Sequence, residues 1–528
     1  MRDPAEAMSE RPAYETDDVG HPKRWQILAI LNLSLVLIVA GVSGLNLAIP
    51  SIQRALDATA SELVWINAAY SLVFAGLLLP AGALGDRYGR KPALLAGLGI
   101  FLVSALVATR SNNAAQLIAL RGVMGVGAAL TMPATLSIIT VVFPSHERAK
   151  AIAIWSGFAG AGGALGILAS GLLLEKFWWG SVFFVNVPIA LLAMVLVFWM
   201  VPNSKDAEER PLDPIGSMLS IVGLSALVFG LIQGPEFGWT DPLVVSAFVA
   251  SVAFLGGWVK FELMQQDPLL DPRLFKISQF GVGSFTITTA FLVMFGFFFV
   301  LTQYLQFVLD YTPLQAAVRT LPFAVAMVFV APRGPGLAAK IGGGRTMALG
   351  MLVSTVGLGL LSFATVDTSY PRIAISIVLA AGGMALVFPT ATEAIVSSLP
   401  QSKAGVASAM NDTTREVGGA IGIALLGTLL SSGYRSGLGS ATDGLPPELA
   451  EAAQDNVGAA LAVAGQVPGG EAVAAAARDA FVDGMQLSLI VAAAVMLASA
   501  LVVARFFPRT SSSAMTGAAD VEGIPSTS

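Results

Sequence analysis

The sequence contains no cysteine and only two histidines among its 528 residues. Without cysteine there can be no disulfide, thiol nucleophile or thiolate-bound metal. His21 and His146 lie far apart and outside the apolar segments, so they do not predict a histidine metal site. Neither a G-x-x-x-x-G-K-[ST] phosphate-binding loop nor a Ser/His or paired-Asp cluster occurs in the apolar segments. We therefore expect no metal ion, no bound cofactor and no enzymatic activity.

Charge is also scarce. Charged residues make up 12% and hydrophobic residues 55% of the chain, whereas soluble proteins carry about 25% charged residues. The formal net charge of −5 argues against nucleic acid as a partner. This composition is typical of a protein that is embedded in a membrane and surrounded by lipids.

Apolar segments recur along residues 25–507, and fourteen of them approach the ~20 residues that a bilayer-spanning helix needs. Most Lys and Arg residues fall in the connecting segments that share a side with the amino terminus. By the positive-inside rule, this asymmetry places both termini in the cytoplasm. We predict a multi-pass protein of the cell (plasma or inner) membrane.

A charged turn at residues 82–91 separates the second and third apolar segments and reads G-A-L-G-D-R-Y-G-R-K. Asp86, Arg87 and Arg90 cannot lie in hydrocarbon cheaply, and the glycines let two helix ends approach closely. The pattern resembles the loop between helices 2 and 3 of the major facilitator superfamily. The resemblance implies that Asp86, Arg87 and Arg90 act in gating or proton coupling.

The resemblance implies an all-α polytopic membrane protein with the major facilitator fold. That fold has two six-helix bundles, so fourteen transmembrane helices imply an inserted pair, as in the fourteen-helix drug:proton antiporter family (EmrB/QacA-like). We predict the following organisation: a disordered cytoplasmic tail (1–24), an N-terminal six-helix bundle (25–201), a linker with two inserted helices (202–279), a C-terminal six-helix bundle (280–507) with an external loop (433–484), and a second disordered cytoplasmic tail (508–528). A weaker copy of the charged turn, at residues 336–342, has Ala339 at the position of Asp86.

The fourth apolar segment contains Arg121 in the sequence R-G-V-M-G-V-G-A-A. An ionisable group inside a membrane segment is costly and usually faces a cavity or a partner. The stretch resembles a helix-4 motif of the same family, in which the arginine is implicated in proton transfer, although Met124 replaces the family's Gln. The alternative is that Arg121 only holds a neighbouring helix through a carbonyl or carboxylate.

The thirteenth apolar segment contains a second charged group, N-D-T-T-R-E at residues 411–416. On a helix Asp412 and Arg415 share a face and can pair, whereas Asp412 and Glu416 repel each other if both are ionised. A carboxylate in such a setting can take up a proton, which a proton-coupled transporter requires. The surrounding pattern resembles the same family, but Glu416 stands where Gln is usual. A static gate formed by Asp412 and Arg415 is the alternative.

The first apolar segment departs from the family at one position. Asn46 and Pro50 match its N-V-A-L-P signature, but Gly41 stands where the family usually has an aspartate. In the family, this acid is tied to proton coupling and to recognition of cations. Its absence argues against a simple cationic-drug pump and shifts coupling to Glu416, Asp412 or Asp86.

Polar and small residues suggest the transport path. By analogy with the family, the expected substrate-cavity residues are Ser43, Asn46, Asn67, Tyr70, Trp155, Gln303, Tyr304 and Gln306. The fifth segment resembles the antiporter motif of helix 5, and its expected helix-packing glycines are Gly157, Gly160, Gly162, Gly163 and Gly166. A run of phenylalanines at residues 291–299 is expected to face lipid or to pack rather than to form a drug pocket.

The leading hypothesis is a secondary active transporter, a proton-coupled multidrug efflux antiporter that exports amphipathic or hydrophobic compounds by alternating access. It predicts a small amphipathic or lipid-like substrate, a proton gradient instead of a cofactor, a monomer, and a role in drug resistance. One alternative is an exporter of an endogenous lipid, siderophore or metabolite, which Gly41 favours. Another is a transport-inactive membrane receptor, although neither tail offers a folded soluble domain.

Overall fold

A computed structural model describes residues 20–58, 60–205, 213–265, 268, 270–400, 403–443 and 445–508. These residues form helices and connecting turns, with no β-strand among them. The two predicted tails lie outside the described residues except for residues 20–24 and 508. Part of the predicted linker, residues 206–212, lies outside them as well.

Within the described residues, fourteen helical segments are long and apolar enough to cross a membrane. Numbered as spans 1 to 14, they are Arg24–Ser43, Trp65–Tyr88, Arg90–Ala108, Ala114–Val142, Ser145–Leu174, Ser181–Met200, Pro214–Pro235, Pro242–Glu262, Ser278–Val308, Pro313–Ile341, Gly343–Leu361, Tyr370–Ser397, Ala404–Leu438 and Gly470–Phe506. The helix of span 2 begins earlier, at Ala60, and that of span 7 ends at Phe237. We call the end that carries residues 82–91 the loop side, and the end that carries residues 439–469 the cap side.

Several spans are interrupted helices. Span 1 is followed by the short helix Leu45–Leu56 after Gly44, and span 6 joins Ser181–Phe184 to Asn186–Met200. Span 9 is an α-helix from Ser278 to Gln303 that ends in the π-helical turn Tyr304–Val308. Span 10 runs through Pro313–Val330, a 3-10 turn at Ala331–Arg333, and Gly334–Ile341. Each break lies near an end of its span.

The spans form two halves with separate apolar cores. In the first half, span 4 packs against spans 2 and 3, and span 1 packs against spans 5 and 6. In the second half, span 13 packs against spans 9 and 14, and span 12 packs against spans 9, 10 and 11. Apart from a few side chains, one buried apolar cluster draws on spans 1–6 and another on spans 9–14. The halves meet where span 5 faces span 10 and span 2 faces span 13.

The inserted pair, spans 7 and 8, packs on the outside of span 2. Asp213 caps the start of span 7 by accepting a hydrogen bond from the Gly216 N–H at 2.8 Å. Ser225 of span 7 donates to the Leu72 carbonyl at 3.3 Å, and the Trp65 and Phe229 rings are 5.6 Å apart. Span 7 also reaches span 13, so the inserted pair contacts both halves.

The predicted external loop, residues 433–484, is shorter in the structure. The helix of span 13 continues to Leu438, and the helix of span 14 begins at Gly470 rather than at residue 485. Between them lie the helices Pro447–Asp455 and Val457–Ala464. The prediction placed the boundary at the end of the apolar run. Alanine-rich sequence has a high helix propensity, and Ala477, Ala480 and Phe481 find buried positions, so the helix extends beyond that run.

Candidate functional site

The loop side is closed by a carboxylate that links the two halves. Asp86, at the end of span 2, accepts hydrogen bonds from Arg90 Nε and Nη2 at 3.0 and 2.9 Å. It also accepts the backbone N–H groups of Gly405 at 2.8 Å and Val406 at 3.2 Å. These N–H groups belong to the first turn of span 13, where a helix has unsatisfied donors and favours negative charge. Asp86 therefore caps a helix of the opposite half.

Close backbone packing accompanies this cap. A Cβ atom built on Gly82 would lie 2.5 Å from the Gly405 carbonyl oxygen, so a glycine is needed for the approach. On the other side of the interface, Glu393 of span 12 lies within electrostatic range of Arg148 at the start of span 5. The Arg87 guanidinium lies 5.4 Å from the centre of the Tyr88 ring. Asp86 thus joins the halves by hydrogen bonds on the loop side, and Glu393 and Arg148 attract each other across a second part of the interface.

Arg121 is fully buried inside the first half. Its Nε donates to the Ile66 carbonyl at 3.0 Å, and its guanidinium lies 4.6 Å from the centre of the Tyr70 ring. Its Nη1 and Nη2 atoms and the Tyr70 hydroxyl have no hydrogen-bond partner among the described residues. The carbonyl contact agrees with the packing alternative, whereas the remaining donors can still bind an acceptor.

The charged group of span 13 lies at the interface between the halves. Arg415 Nη1 donates to Asp412 Oδ1 at 3.3 Å, as the three-residue spacing predicts. Asn411 donates to the same oxygen at 3.4 Å and accepts from Thr392 at 3.0 Å. Glu416 lies within hydrogen-bonding reach of Ser71 on span 2 and within electrostatic range of both Arg415 and Asp412. Asp412 and Glu416 therefore have different environments, one within its own half and one across the interface.

A small cavity of about 170 Å³ lies beside Arg415, between the halves. Its wall is formed by Trp155, Ser156, Ala159, Phe291, Phe388, Thr392 and Arg415. We call it the central cavity. The Arg415 guanidinium lies 5.2 Å from the centre of the Trp155 ring and 4.6 Å from that of Phe291. Trp155 is oriented by a hydrogen bond to Thr135 at 3.1 Å. An aromatic residue from each half thus faces one cation.

A second cavity, of about 210 Å³, lies between span 5 and spans 9 and 10. It is lined by Ile167, Thr302, Leu305, Gln306, Pro313, Ala316, Ala317 and Thr320. These residues come from the part of the interface nearer the cap side. The space in either cavity that the centre of a water molecule can reach is only about 10 Å³, enough for about one water molecule, so the halves are close together in this conformation.

The predicted cavity residues are distributed unevenly. Trp155 lines the central cavity and Gln306 lines the second one. Ser43 donates to the Val39 carbonyl at 3.2 Å and Gln303 to the Phe299 carbonyl at 3.2 Å, each within its own helix. Asn67 is partly buried on span 2. The side chain of Asn46 lies outside the described part of the chain.

Two of these residues do not form a cavity wall. Tyr304 is fully buried within the second half, where its hydroxyl donates to the Thr365 carbonyl at 2.6 Å. Tyr70 is buried beneath Arg121. Both side chains are drawn into a half because the ring gains apolar contacts there, while the hydroxyl of Tyr304 still finds a partner.

Sequence reasoning missed several cavity residues: Ser156, Phe291, Phe388 and Thr392. Phe291 was expected to face lipid or to pack, yet it lines the central cavity. Phe295 and Phe299 of the same run are 37% and 39% exposed on the protein surface, as expected for lipid-facing side chains. A run of identical residues gives no signal of which one faces the opposite half.

The glycines of span 5 pack against two different helices. Gly157 and Gly160 face Met327 of span 10, across the interface between the halves. Gly162, Gly163 and Gly166 face span 1, where added Cβ atoms would meet Val39, Ser43 and Ala40. Small residues let helices approach closely. Span 5 is therefore closely packed on one face within its half and on another face against the second half.

The position of the missing acid in span 1 is closely packed. A Cβ atom on Gly41 would lie 3.1 Å from Phe101 and 3.9 Å from the Asn186 side-chain amide. Gly41 thus faces spans 3 and 6 inside the first half. The Phe101 ring occupies the space beside Gly41. A carboxylate at position 41 would therefore require this ring to move.

Two helical halves, with ionisable groups and cavities at the interface between them, define a multi-pass membrane transporter of the two-bundle type. The family model described as Major Facilitator Superfamily matches residues 31–423. The chain belongs to this superfamily of secondary active transporters, and the expected relation to its fourteen-helix drug:proton antiporters is confirmed.

Curated relatives and solved structures agree with this assignment. The multidrug efflux pump LfrA of Mycolicibacterium smegmatis is 34% identical, covering 92% of this chain and 97% of the relative. The tetracenomycin C resistance and export protein of Streptomyces glaucescens is 32% identical, covering 92% of this chain and 91% of the relative. The fold is similar to the crystal structure of the human organic anion transporter MFSD10 (TETRAN), with a TM-score of 0.60 at 14% identity, covering 92% of this chain and 100% of that one.

Proposed function

We propose that this protein is a proton-coupled exporter of small amphipathic or hydrophobic compounds and works by alternating access. The observation that carries the proposal is the position of Arg415, Asp412 and Glu416 on the surface between the halves, next to the central cavity. A group at that surface changes its surroundings when the halves rock, as a coupling group must. The names of the relatives support export of drugs as the direction and cargo.

The loop side is the cytoplasmic side in this proposal, with both termini on it. The excess of Lys and Arg on that side supports the orientation. The cap of Asp86 on span 13 then closes the cytoplasmic gate, and export requires that this contact break and form again in each cycle. The protein works as a monomer in the cell membrane, surrounded by lipid, without a cofactor and without enzymatic chemistry.

Glu416 carries the proton in this proposal. Its carboxylate lies across the interface from Ser71, and its neighbour Arg415 is already engaged with Asp412. A proton on Glu416 changes the charge at the contact between span 13 and span 2. Protonation would thereby be linked to the contact that separates when the halves rock.

The test measures substrate-induced proton movement in proteoliposomes with a pH-sensitive dye inside. Glu416→Gln should abolish that movement while the protein keeps its thermal unfolding midpoint. The matched control is Glu451→Gln, which changes an exposed carboxylate on the cap side and should leave coupling unchanged. Proton movement of normal size in Glu416→Gln would remove Glu416 from the mechanism.

A second candidate function is the export of a compound that the cell makes itself. The closely packed site around Gly41 favours it, since the acid associated with cation recognition has no place there. A ligand-stabilisation screen of the purified protein against lipophilic cations, neutral drugs and lipids separates the two. Stabilisation by lipids alone would favour the second function.

A further inference from the structure

We propose that the inserted pair is fixed to the first half and moves with it, while span 13 of the second half slides along span 7. The pair thereby keeps the crevice between span 2 and span 13 closed to lipid and to protons throughout the cycle. The inference rests on alternating access, as in the proposed function, and assigns a role to two helices that the two-bundle fold does not require. It follows from how span 7 contacts span 2, how it contacts the second half, and where it lies relative to Glu416.

The contact of span 7 with span 2 is directional and interlocked. The Ser225 hydroxyl donates to the Leu72 carbonyl at 3.3 Å. A Cβ atom built on Gly76 would overlap the Ser225 hydroxyl and would lie 3.3 Å from the Ile221 carbonyl oxygen. The two backbones therefore approach each other as closely as a glycine allows. Interlocking of this kind holds two helices in one register, so span 7 should follow every movement of span 2.

The contact of span 7 with the second half is apolar. Leu224, the neighbour of Ser225, is 7% exposed and belongs to the apolar cluster of the second half, and Leu219 packs against the same cluster. Span 7 also packs against span 13. Among the described residues, the side-chain hydrogen bonds of span 7 stay within its own helix and cap or go to Leu72, and none goes to span 13. Apolar contacts are non-directional, so this surface permits the sliding of packed helices.

Span 7 lies across the interface at the level of the proposed coupling carboxylate. Leu72, which accepts the Ser225 hydroxyl, follows Ser71 in span 2, and Glu416 of span 13 lies within hydrogen-bonding reach of Ser71. An ionisable side chain that faces hydrocarbon is costly. When the halves rock, span 2 and span 13 separate beside Glu416. A helix that is fixed to span 2 and in apolar contact with span 13 still covers the crevice between them.

The first test measures which half the inserted pair follows. The chain contains no cysteine, so spin labels attach only where a cysteine is introduced. Ile215→Cys labels the start of span 7, Trp199→Cys the end of span 6, and Ala339→Cys the end of span 10, all at exposed positions on the loop side. Distances between pairs of labels are measured by pulsed EPR in the full-length protein in lipid nanodiscs. Asp86→Ala removes the acceptor that joins the halves on the loop side and should populate a state open on that side.

The expected result is that Asp86→Ala lengthens the distance from Ile215 to Ala339 and leaves the distance from Ile215 to Trp199 unchanged. The pair Trp199 and Ala339 reports the separation of the halves and should lengthen as well. A change between Ile215 and Trp199 as large as that between Trp199 and Ala339 would overturn the inference. If no pair changes, alternating access fails and the inference fails with it.

The second test measures the seal itself. Gly76→Ala forces a Cβ against the Ser225 hydroxyl and should loosen span 7 from span 2. We expect the leak of protons into vesicles without substrate, followed with an internal pH-sensitive dye, to rise at least about fivefold. Ser225→Ala removes the overlapping atom, so the double variant should leak about as little as the wild type. Gly256→Ala on span 8 is the matched control, because a Cβ there meets nothing within 4 Å.

A folded Gly76→Ala protein that leaks no more than Gly256→Ala would contradict the seal, and so would a leak that Ser225→Ala does not reduce. If Gly76→Ala does not fold, the spin-label distances, which leave this contact intact, still decide the inference.

Substrate-induced proton movement is measured separately, so that the two proposals can fail independently. If Ile215 keeps its distance to Trp199 and Gly76→Ala leaks, but Glu416→Gln stays coupled, Glu416 leaves the mechanism and the role of the inserted pair stands. If Glu416→Gln is uncoupled but the distance from Ile215 to Trp199 changes on opening, the proton-coupled exporter stands and the role of the inserted pair fails.

Discussion

Two loops on the loop side, residues 82–91 and 336–342, place a glycine in the same backbone conformation but differ in their chemistry. Gly89 after span 2 has φ 113° and ψ 135°, and Gly342 within the second loop has φ 90° and ψ 148°. Both values lie where glycine is favoured. Three residues before them, Asp86 is 6% exposed and caps span 13, whereas Ala339 is exposed. The two loops of the internal repeat therefore share a backbone conformation at their glycines. They differ in that Asp86 caps a helix of the opposite half, whereas Ala339 has no carboxylate with which to do so.

The second half closes the loop side by other means. Glu393 of span 12 lies within electrostatic range of Arg148 at the start of span 5, and the second loop itself has Ala339 where the first has a carboxylate. A carboxylate held by two backbone N–H groups and an arginine has a more defined geometry than a longer-range attraction between two side chains. We therefore expect the first loop to dominate closure and the second contact to support it.

The largest difference between the loops should come from one substitution made at both. Gly82→Ala forces a Cβ against the Gly405 carbonyl, while the same change at Gly336 meets nothing within 4 Å. Overpacking costs about 1–3 kcal/mol, so Gly82→Ala should lower the transport rate by roughly 5- to 150-fold. Gly336→Ala should transport at the wild-type rate. Equal rates for the two variants in a vesicle export assay would break the comparison.

A smaller effect is expected from Asp86→Asn. The amide keeps an acceptor for Gly405 or Val406 but loses the charge that strengthens those bonds and pairs with Arg90. A loss of about 1 kcal/mol corresponds to about fivefold in rate. Substrate affinity, measured by equilibrium binding, should hardly change because the contact lies away from the central cavity. An Asp86→Asn variant that binds substrate more weakly but transports at the normal rate would contradict this role.

Glu393→Gln should have a weaker effect, of about twofold on the transport rate, because the pair with Arg148 acts at longer range. The double variant with Asp86→Asn tests whether the two contacts close one gate. Coupled contacts give a combined loss that differs from the product of the single losses. If the losses simply multiply, the two contacts act independently.

The smallest effect is expected from Ala339→Asp, which restores the acid that the second loop lacks. Since position 339 is exposed, the new carboxylate would stay in water and change the rate by less than about twofold. A marked change in export or in thermal stability would show that this loop approaches the opposite half at another stage of the cycle.

Much of this site could be predicted from residue spacing. The pairing of Asp412 with Arg415 follows from their separation on a helix, and the charge of Asp86 beside Arg90 was visible in the loop motif. The partners across the interface could not be predicted. Gly405 and Val406 lie more than three hundred residues from Asp86 in sequence, and no local pattern relates a backbone N–H group to a distant carboxylate.

The sequence by itself determined the number of spans, because an apolar run long enough to cross the bilayer can satisfy its backbone there only as a helix. It also placed Arg121, Arg415 and Glu416 inside those spans. Only the tertiary structure decided the partner of each residue. Arg121 donates to the Ile66 carbonyl, and Arg415 lies over the rings of Trp155 and Phe291. Glu416 lies within hydrogen-bonding reach of Ser71. Helix periodicity fixes the face of a residue on its own helix, but packing of the two halves decides which helix that face meets.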